Sequence, residues 1–391
     1  MENFTFYSPT LFVFGRGEEN NTGSYVKRFG GSRVLIHYGG GSVVRSGLLD
    51  RVKRSLDKEG ISYVELGGVQ PNPRSGLVYE GIELCRSQKV DFILAVGGGS
   101  TIDSAKAIAG GVPYRGDFWD HHTGTPVEEA LPIGTVLTIA AAGSEGSPNC
   151  VITKEEGLLK RGTKTDLFRP KFSIMNPELT QTLPAFQTAC GATDIMAHLL
   201  ERYFTDTKDV EVTDRLIEGL LLTMLLETPK VMADPEDYKA RANIMWAGML
   251  AHNNVCGVGR NQDWGSHKLE HELSALYDCA HGAGLAVVFP AWMTYNMNYD
   301  VMRFARLAER VFHCPMNQEH PEETAKAGIE AFRRFLASIG MPTTFAQLGA
   351  KEEDIEYLAH TACYGNGGSG KIGGVVPIDE KAAAAIYRLM L

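Results

Sequence analysis

The sequence VGGGSTIDSAK, residues 96–106, joins two patterns that decide the fold of the first half of the chain. It follows the apolar, strand-like run 91–96 and opens a helical pattern that continues to about Ala109. A backbone without side chains can approach a phosphate closely, and a helix N-terminus directs unpaired N–H groups and a partial positive charge towards it. The stretch therefore predicts a strand, a tight turn and a helix that can hold a phosphate group.

A second glycine triplet stands at the same place relative to an earlier strand. The sequence YGGGS, residues 38–42, follows the apolar run 33–38 and precedes a helical pattern. Neither loop fits the G-x-G-x-x-G spacing of the standard dinucleotide fingerprint. Two such loops, on strands that can neighbour each other, nevertheless favour a bound nucleotide or dinucleotide over two plain turns.

Strand-like and helical segments alternate through the first part of the chain. The strand-like runs are 33–38, 62–66 and 91–96, and the helical patterns are about 46–58, 76–87 and 100–109. This alternation indicates βαβ units and a parallel sheet. Such sheets bind their ligands beyond the carboxyl ends of the strands.

The alternation stops near Pro184, where long helical segments begin. They are 184–204, 212–226, 238–253 and 267–276. Two prolines and several polar residues in 176–184 interrupt both periods and mark a boundary. We therefore predict an α/β dinucleotide-binding domain with a parallel sheet over residues 1–183, followed by an all-α domain over residues 184–391.

The composition is that of an ordinary globular protein and excludes several classes of partner. The 391 residues carry a formal net charge of −9 and no useful basic run, which argues against nucleic acid. No stretch approaches the ~20 apolar residues that span a membrane. The first residues lack the charged segment followed by an apolar segment that is typical of a signal peptide, and the seven cysteines show no C-x-x-C spacing. We expect a cytoplasmic protein with reduced thiols and no nucleic-acid or membrane partner.

Two further segments carry expectations about the surface. Residues 4–6 and 11–14, separated by Ser8-Pro9-Thr10, predict a small β-hairpin. Its exposed apolar edge can pair between subunits, so we expect a homodimer. The glycine-rich stretch 365–371 follows no predicted strand and is interpreted as a surface loop.

The residues around the first glycine loop bear on the choice of nucleotide. An acidic residue usually holds a ribose 2′-hydroxyl, whereas a 2′-phosphate requires donors and no carboxylate. The loop offers Gly40, Ser42 and, four residues after Gly41, Arg45. These residues favour NADP(H) over NAD(H).

Histidines and a carboxylate recur at metal-ligand spacing in the helical half. Asp194 and His198 are four residues apart, so a helix places both on one face. His267 and His271 repeat that spacing, and His281 follows. One carboxylate with two or three imidazoles suits Fe(II) or Zn(II). Five candidates are too many for a catalytic site with an open position, so either His271 or His281 is expected to act as a proton carrier or to support a ligand.

These motifs together resemble those of the iron-containing, or group III, alcohol dehydrogenases. The motifs are GGGSTIDSAK at 97–106, Asp194-x-x-x-His198, His267-x-x-x-His271 and His281-Gly-x-Gly, and the similarity extends from residue 14 to residue 282. The chain is most similar to the branch of NADPH-dependent butanol dehydrogenases and broad aldehyde reductases. The resemblance implies an active site in the cleft between a dinucleotide-binding domain and a helical domain.

The resemblance also implies roles for individual residues. The metal ligands would be Asp194, His198, His267 and His281, which leaves His271 near the substrate. The cofactor residues would be Gly98, Gly99 and Ser100 at the pyrophosphate, Asp103, Thr138 and Lys160 at the nicotinamide half, Gly40, Ser42 and Asn72 at the adenosine 2′-phosphate, and also Leu179 and Thr182. His271, or a ribose hydroxyl near Lys160, would relay the proton.

We expect reversible hydride transfer between NADP(H) and a primary alcohol or its aldehyde, such as butanol and butyraldehyde. Three alternatives remain open at this point. A glycerol or other polyol dehydrogenase, or a lyase such as dehydroquinate synthase, would share the loops and most of the ligands. A metallohydrolase would use the same ligands to activate water but would not need paired glycine loops. The third alternative is a nucleotide-binding protein without catalytic activity.

Overall fold

The computed structural model describes residues 1–157, 159–365 and 368–391. The chain forms two compact units. The first, called the sheet unit, consists of Tyr7–Leu183 and Glu236–Asn253, and the second, called the helical unit, consists of Met1–Phe6, Pro184–Pro235 and Asn254–Leu391. Residues 366 and 367 of the predicted surface loop lie outside the described residues.

A six-stranded parallel sheet forms the centre of the sheet unit. Its strands are β1 (Leu11–Phe14), β2 (Arg33–Gly39), β3 (Ser62–Val69), β4 (Phe92–Gly97), β5 (Ile133–Leu137) and β8 (Phe172–Met175). Their spatial order is β3-β2-β4-β5-β8-β1. Between β5 and β8, the chain forms an antiparallel hairpin of β6 (Asn149–Lys154) and β7 (Leu159–Lys164).

Apolar side chains cover both faces of this sheet. Its helices are α1 (Thr22–Arg28), α2 (Ser42–Arg45), α3 (Leu48–Lys58), α4 (Ser75–Gln88), α5 (Gly99–Gly111) and, from later in the chain, α8 (Tyr238–His252). Leu35 belongs to a core with α4 and α5, whereas its neighbours Val34 and Ile36 belong to a core with α1 and α3. Alternate residues of a strand point to opposite faces, so a sheet buried on both sides needs the continuous apolar strands seen here.

Helices make up most of the helical unit. They are α6 (Ala185–Tyr203), α7 (Glu211–Ala233), α9 (Gly265–Tyr277), α10 (His281–Asn296), α11 (Val301–Phe312), α12 (Pro321–Ser338), α13 (Phe345–Leu348), α14 (Ile355–Tyr364) and α15 (Glu380–Arg388). A two-stranded ribbon of β9 (Lys371–Ile372) and β10 (Ile378–Asp379) is the departure from the predicted all-α composition. No helix in the described part of the chain is long and apolar enough to cross a lipid bilayer.

The predicted fold class, a parallel-sheet α/β part followed by a helical part, is confirmed. The compact units differ from the predicted domains 1–183 and 184–391 in two segments. Met1–Phe6 pack with the helical unit, where Glu2 N donates to Gly259 O at 2.8 Å. Glu236–Asn253, which include α8, pack with the sheet unit, where Met245 and Met249 enter its core.

The predicted N-terminal hairpin is wrong. Residues 4–6 form no strand, whereas Leu11–Phe14 form β1 and pair in parallel with β8. Strand β8 is the last strand of the sheet along the chain, and without β1 one edge of it would be unpaired. Pairing with that edge satisfies more backbone N–H and C=O groups of residues 11–14 than a short isolated hairpin can. This pairing makes β1 an edge strand of the sheet.

Candidate active site

The two glycine loops lie side by side at the carboxyl edge of the sheet. Strand β2 pairs with β4, with Tyr38 opposite Val96, so the loops that follow the two strands start next to each other. The chain continues from β2 to β3 on one side, whereas β4 leads on to β5 on the other side. This reversal of strand order is a topological switch point, where open α/β sheets bind their ligands.

The second loop needs its glycines because another loop approaches it closely. A Cβ on Gly98 would lie 2.1 Å from Cγ2 of Ile139, and a Cβ on Gly99 would lie 3.1 Å from Cβ of Ala142. Both neighbours belong to the segment that follows β5. Gly98 precedes the first residue of α5 with an extended backbone, so the loop leads directly into the first turn of α5, whose N–H groups have no partner within the helix.

Asp103 on α5 binds atoms of the same unit with both carboxylate oxygens. Its Oδ1 accepts a hydrogen bond from Ser144 Oγ at 2.6 Å, and its Oδ2 accepts one from Val151 N at 2.9 Å. The ammonium group of Lys106, one turn along α5, donates to Ser144 O, Ser147 O and Asn149 O at 2.7–3.0 Å. Burial raises the pKa of Asp103 and lowers the pKa of Lys106. The pair fastens the segment after β5 to the helix that starts at the glycine loop.

Asn72 and Lys160 contact each other. Lys160 Nζ, on β7, donates to Asn72 Oδ1 at 3.0 Å, and both side chains are buried. Two more bonds hold the β6–β7 hairpin to the segment after β3: Thr153 N to Pro73 O at 2.8 Å and Gly76 N to Glu155 Oε2 at 3.0 Å. Asn72 and Lys160, which the resemblance assigns to different ends of the dinucleotide, therefore meet at the carboxyl end of β3.

The first glycine loop is open and carries a positive charge. A Cβ on Gly40 would meet no described atom within 4 Å, whereas one on Gly41 would lie 2.4 Å from Nη1 of Arg45. The guanidinium group therefore folds back over the loop. Ser42 is the first residue of the short helix α2 and is exposed.

The remaining predicted cofactor residues also follow parallel strands. Thr138 comes directly after β5, and its N–H donates to Gly97 O at 3.1 Å. Leu179 and Thr182 follow β8; Leu179 packs partly against the sheet core, and Thr182 is exposed. Ser100 lies in the first turn of α5. All of the predicted cofactor residues outside the β6–β7 hairpin therefore lie in α5 or in segments that follow the carboxyl ends of the strands.

In the helical unit, three helices bring the predicted metal ligands together. One ligating atom from each of Asp194, His267 and His281 lies within 4.8 Å of the other two. Oδ1 of Asp194 is 4.0 Å from His267 Nε2 and 3.7 Å from His281 Nε2. His198 Nδ1 is 3.4 Å from the same oxygen, and the His198 ring stacks on the His267 ring with centroids 4.9 Å apart.

Two buried glutamates bond the far nitrogens of two of these histidines. His267 Nδ1 lies 2.7 Å from Glu201 Oε1, and His281 Nδ1 is hydrogen-bonded to Glu270 Oε2. Neither glutamate is among the residues predicted from the sequence. The available signal was spacing, since Glu201 lies three residues after His198 and Glu270 three residues after His267, each on the ligand-bearing face of its helix.

The arrangement fits a divalent metal ion. His267 Nε2 is buried and makes no hydrogen bond within the described residues, although its ring is held through Nδ1. A buried imidazole nitrogen in this state is suited to bind a metal ion, as is a carboxylate surrounded by imidazoles. The side chains of Asp194 and His267 are about 95% buried, whereas that of His281 is 25% exposed, so the cluster is accessible on the His281 side.

His271 lies beside the cluster. It is one turn along α9 from His267, and its ring centroid is 5.7 Å from that of His281. Its ligating atom lies within 4.8 Å of atoms of Glu270 and His281, but His271 does not belong to the group that contains Asp194. His281 thus belongs to the group that contains Asp194, and His271 lies next to that group.

Comparison with known proteins identifies the family. The family described as iron-containing alcohol dehydrogenase matches residues 9–177, and the C-terminal family of Fe-containing alcohol dehydrogenases matches residues 188–386. The chain belongs to the iron-containing alcohol dehydrogenase family. As a member of this family it is an oxidoreductase, and the family implies a nucleotide cofactor and a metal.

Relatives of this alcohol dehydrogenase carry both cofactor names. The chain is 43% identical to the probable NADH-dependent butanol dehydrogenase 2 of Bacillus subtilis, over 93% of each chain. It is 36% identical to the NADPH-dependent aldehyde reductase YqhD of Escherichia coli, over 92% of each chain. Among solved structures, NADH-dependent butanol dehydrogenase A of Thermotoga maritima superposes with a TM-score of 0.96 and 41% identity, covering 100% of this chain and 99% of that one.

Gly98→Ala is expected to weaken the binding of NADPH by at least about fivefold. The new methyl group collides with Ile139, and such overpacking costs about 1–3 kcal/mol unless the loop moves. A loop that has moved away from Ile139 no longer presents the start of α5 to the cofactor in the same position. Gly219→Ala is the matched control because a Cβ there meets nothing within 4 Å. Titration of NADPH fluorescence measures both variants, and an unchanged affinity for Gly98→Ala would remove the second loop from the cofactor site.

Proposed function

We propose that this alcohol dehydrogenase transfers a hydride reversibly between NADP(H) and a small primary alcohol or its aldehyde, such as butanol and butyraldehyde. The observation that carries the proposal is the metal cluster: a carboxylate and histidines from three helices converge, and buried glutamates hold two of the rings. The paired glycine loops at the switch point support a dinucleotide as the second partner. A metallohydrolase would not need these loops.

The proposed roles in the reaction follow from what each group offers. Asp194, His198, His267 and His281 would hold one Fe(II) or Zn(II) ion. When bound, such an ion polarises a carbonyl oxygen as a Lewis acid. A bound nicotinamide would supply the hydride to the carbonyl carbon, and the carbonyl oxygen would need a proton. His271 is the proposed proton donor because it lies beside the accessible side of the cluster.

The cofactor residues have separate proposed roles in the sheet unit. Gly98, Gly99 and Ser100 would take the pyrophosphate at the start of α5. Asp103 would act through the segment after β5, since both of its oxygens accept hydrogen bonds from that region. Lys160 would reach the nicotinamide-side ribose, and its bond to Asn72 holds it in place.

His267→Ala is expected to abolish bound metal and to lower turnover of butyraldehyde by at least about 100-fold, because Lewis-acid catalysis supplies several kcal/mol. NADPH affinity should remain, since the glycine loops belong to the other unit. Metal analysis, initial rates and NADPH titration on the same preparation measure the three quantities. Parallel loss of metal and NADPH binding would contradict separate sites.

Two further measurements sharpen this test. His271→Ala should keep its metal and lose about 10²–10⁴ in turnover, as expected for a general acid. Metal loss in that variant would make His271 a ligand instead.

A substrate panel of butyraldehyde, glycerol and sugar phosphates distinguishes an aldehyde reductase from a polyol dehydrogenase or a lyase.

The preference for NADP(H) is proposed from local charge. The loop 39–46 contains no carboxylate, and the Arg45 guanidinium lies over Gly41. Arg45→Ala should lower kcat/KM for NADPH by about tenfold and leave that for NADH unchanged, since a hydrogen bond to a charged group contributes about 1.5–3 kcal/mol and this side chain is exposed. Arg54→Ala, an exposed arginine on α3, is the control.

Gly40→Asp tests the cofactor preference in the opposite direction, by the same comparison of kcat/KM for NADPH and NADH. A carboxylate at this position repels a 2′-phosphate and can accept from a 2′-hydroxyl, so NADH should become the better cofactor. Wild-type protein that uses NADH more efficiently than NADPH would overturn the preference and leave the dehydrogenase assignment intact.

We also propose a homodimer that forms through the open edge of β1. Leu11 N and Gly15 N donate to the β8 side, so the N–H groups of Phe12 and Phe14 face away from it. In the described part of the chain no strand pairs with that side. Such an edge is a template for a second copy.

Phe14→Pro should convert the dimer into a folded monomer, because it removes an N–H from the open edge and none from the pairing with β8. Phe14→Ala removes the ring and keeps the N–H, so it should still dimerise. Sedimentation velocity measures both variants. A wild-type monomer, or a dimeric Phe14→Pro variant, would contradict this interface.

A further inference from the structure

Glu201, near the end of α6, joins the first ligand-bearing helix to the second. Its side chain is 1% exposed. Its Oε1 accepts from Ser266 Oγ at 2.6 Å and lies 2.7 Å from His267 Nδ1, and its Oε2 accepts from Trp264 N at 2.6 Å. One carboxylate therefore holds the start of α9 and the ring of the ligand that α9 carries.

Glu270, one turn after His267 on α9, joins the second helix to the third. Its side chain is fully buried, and its Oε2 is hydrogen-bonded to His281 Nδ1 at the first residue of α10. A Cβ on Gly284 would lie 2.7 Å from Glu270 Oε1, so the glycine in the first turn of α10 lets the carboxylate reach the histidine.

We propose that Glu201 and Glu270 are positioning residues that build the metal site helix by helix. Each glutamate orients the histidine of the next ligand-bearing helix: Glu201 on α6 orients His267 on α9, and Glu270 on α9 orients His281 on α10. A carboxylate beside Nδ1 keeps the proton there, so the lone pair of Nε2 is left for a metal ion that Asp194 would also bind. The inference rests on the metal site proposed above.

This arrangement carries a quantitative expectation. A carboxylate behind a ligating histidine fixes the ring and makes the imidazole a stronger ligand, and its loss typically costs 10–100-fold in metal affinity. His281 is the more exposed of the two histidines, so it depends more on Glu270 than on surrounding packing.

Glu218 on α7 provides a matched control in the same unit. Its side chain is 4% exposed, like those near the cluster, but its partners are Tyr203 Oη at 3.2 Å, Arg215 Nη1 at 3.1 Å and Arg310 Nη1 at 3.1 Å. Glu218→Gln therefore removes a buried carboxylate charge without touching a ligand histidine.

The decisive experiment measures Zn²⁺ affinity of the full-length, cofactor-free protein by competition with a chromophoric chelator. Glu270→Gln should weaken Zn²⁺ binding by about 10–100-fold, whereas Glu218→Gln should match wild type. Absorption spectra of the Co²⁺-loaded proteins add a second readout, since an altered His281 ligand changes the d–d bands. A Glu270→Gln affinity within twofold of wild type would overturn the proposal.

A double-mutant cycle separates positioning from a general effect on folding. In the His281→Ala background, Glu270→Gln should weaken Zn²⁺ binding no further, because its target is gone. An equal weakening in both backgrounds would show that Glu270 acts through the fold and would overturn its assigned role. Glu201→Gln should also weaken Zn²⁺ binding while circular dichroism shows a folded chain. Wild type without stoichiometric Zn²⁺ would refute the metal site itself, a result distinct from either outcome for Glu270.

Discussion

The parallel pairing of β2 with β4 is the constraint on which the cofactor half of the molecule depends. Parallel strands all end at the same edge of the sheet, so the loops that follow them lie at that edge whatever their sequences. The register that sets Tyr38 opposite Val96 then brings the two glycine triplets together. The strand order reverses at this pair, which leaves room between the loops that follow. Asp103 and Lys106 hold the segment after β5 next to the second of these loops.

The helical half depends on a different constraint, the cost of buried charge. A carboxylate taken out of water is tolerated only with several donors around it. Glu201 meets that condition with the backbone at the start of α9 and with His267. These hydrogen bonds offset the cost of burying the carboxylate. They also fix Nδ1 of His267, so that Nε2 is directed towards Asp194. Stability of the helix ends and geometry of the ligand cluster thus have one physical origin.

Local spacing explains what the sequence predicted well. The helical repeat places Asp194 with His198, and apolar runs bounded by glycine mark β2 and β4, so these features need no knowledge of distant contacts. The errors and omissions are non-local. The pairing of β1 with β8 joins residues 11–14 to residues 172–175. Helix α8 belongs to the helical half of the sequence, but it packs in the core of the sheet unit.

Glu201 and Glu270 were missed for a related reason. Each lies on the ligand-bearing face of its helix, but a glutamate at that spacing is common on any helix, and only the approach of the next helix shows which histidine it bonds. The different surroundings of His271 and His281 also depend on how the helices pack. The spacing predicted the set of candidates, whereas the contacts of each residue within the set depend on the tertiary structure.

Cofactor preference shows why overall similarity does not decide every property. Relatives named for NADH and for NADPH share more than a third of their residues with this chain over nearly its whole length. The two cofactors differ only by a 2′-phosphate, which adds about −1.5 to −2 charges at one point. Discrimination is therefore a local electrostatic problem, decided by the few side chains within hydrogen-bond reach of one ribose. In this chain the loop after β2 is open, contains no carboxylate and has Arg45 folded over it. The preference for NADP(H) proposed above is argued from that local charge and not from the names of the relatives.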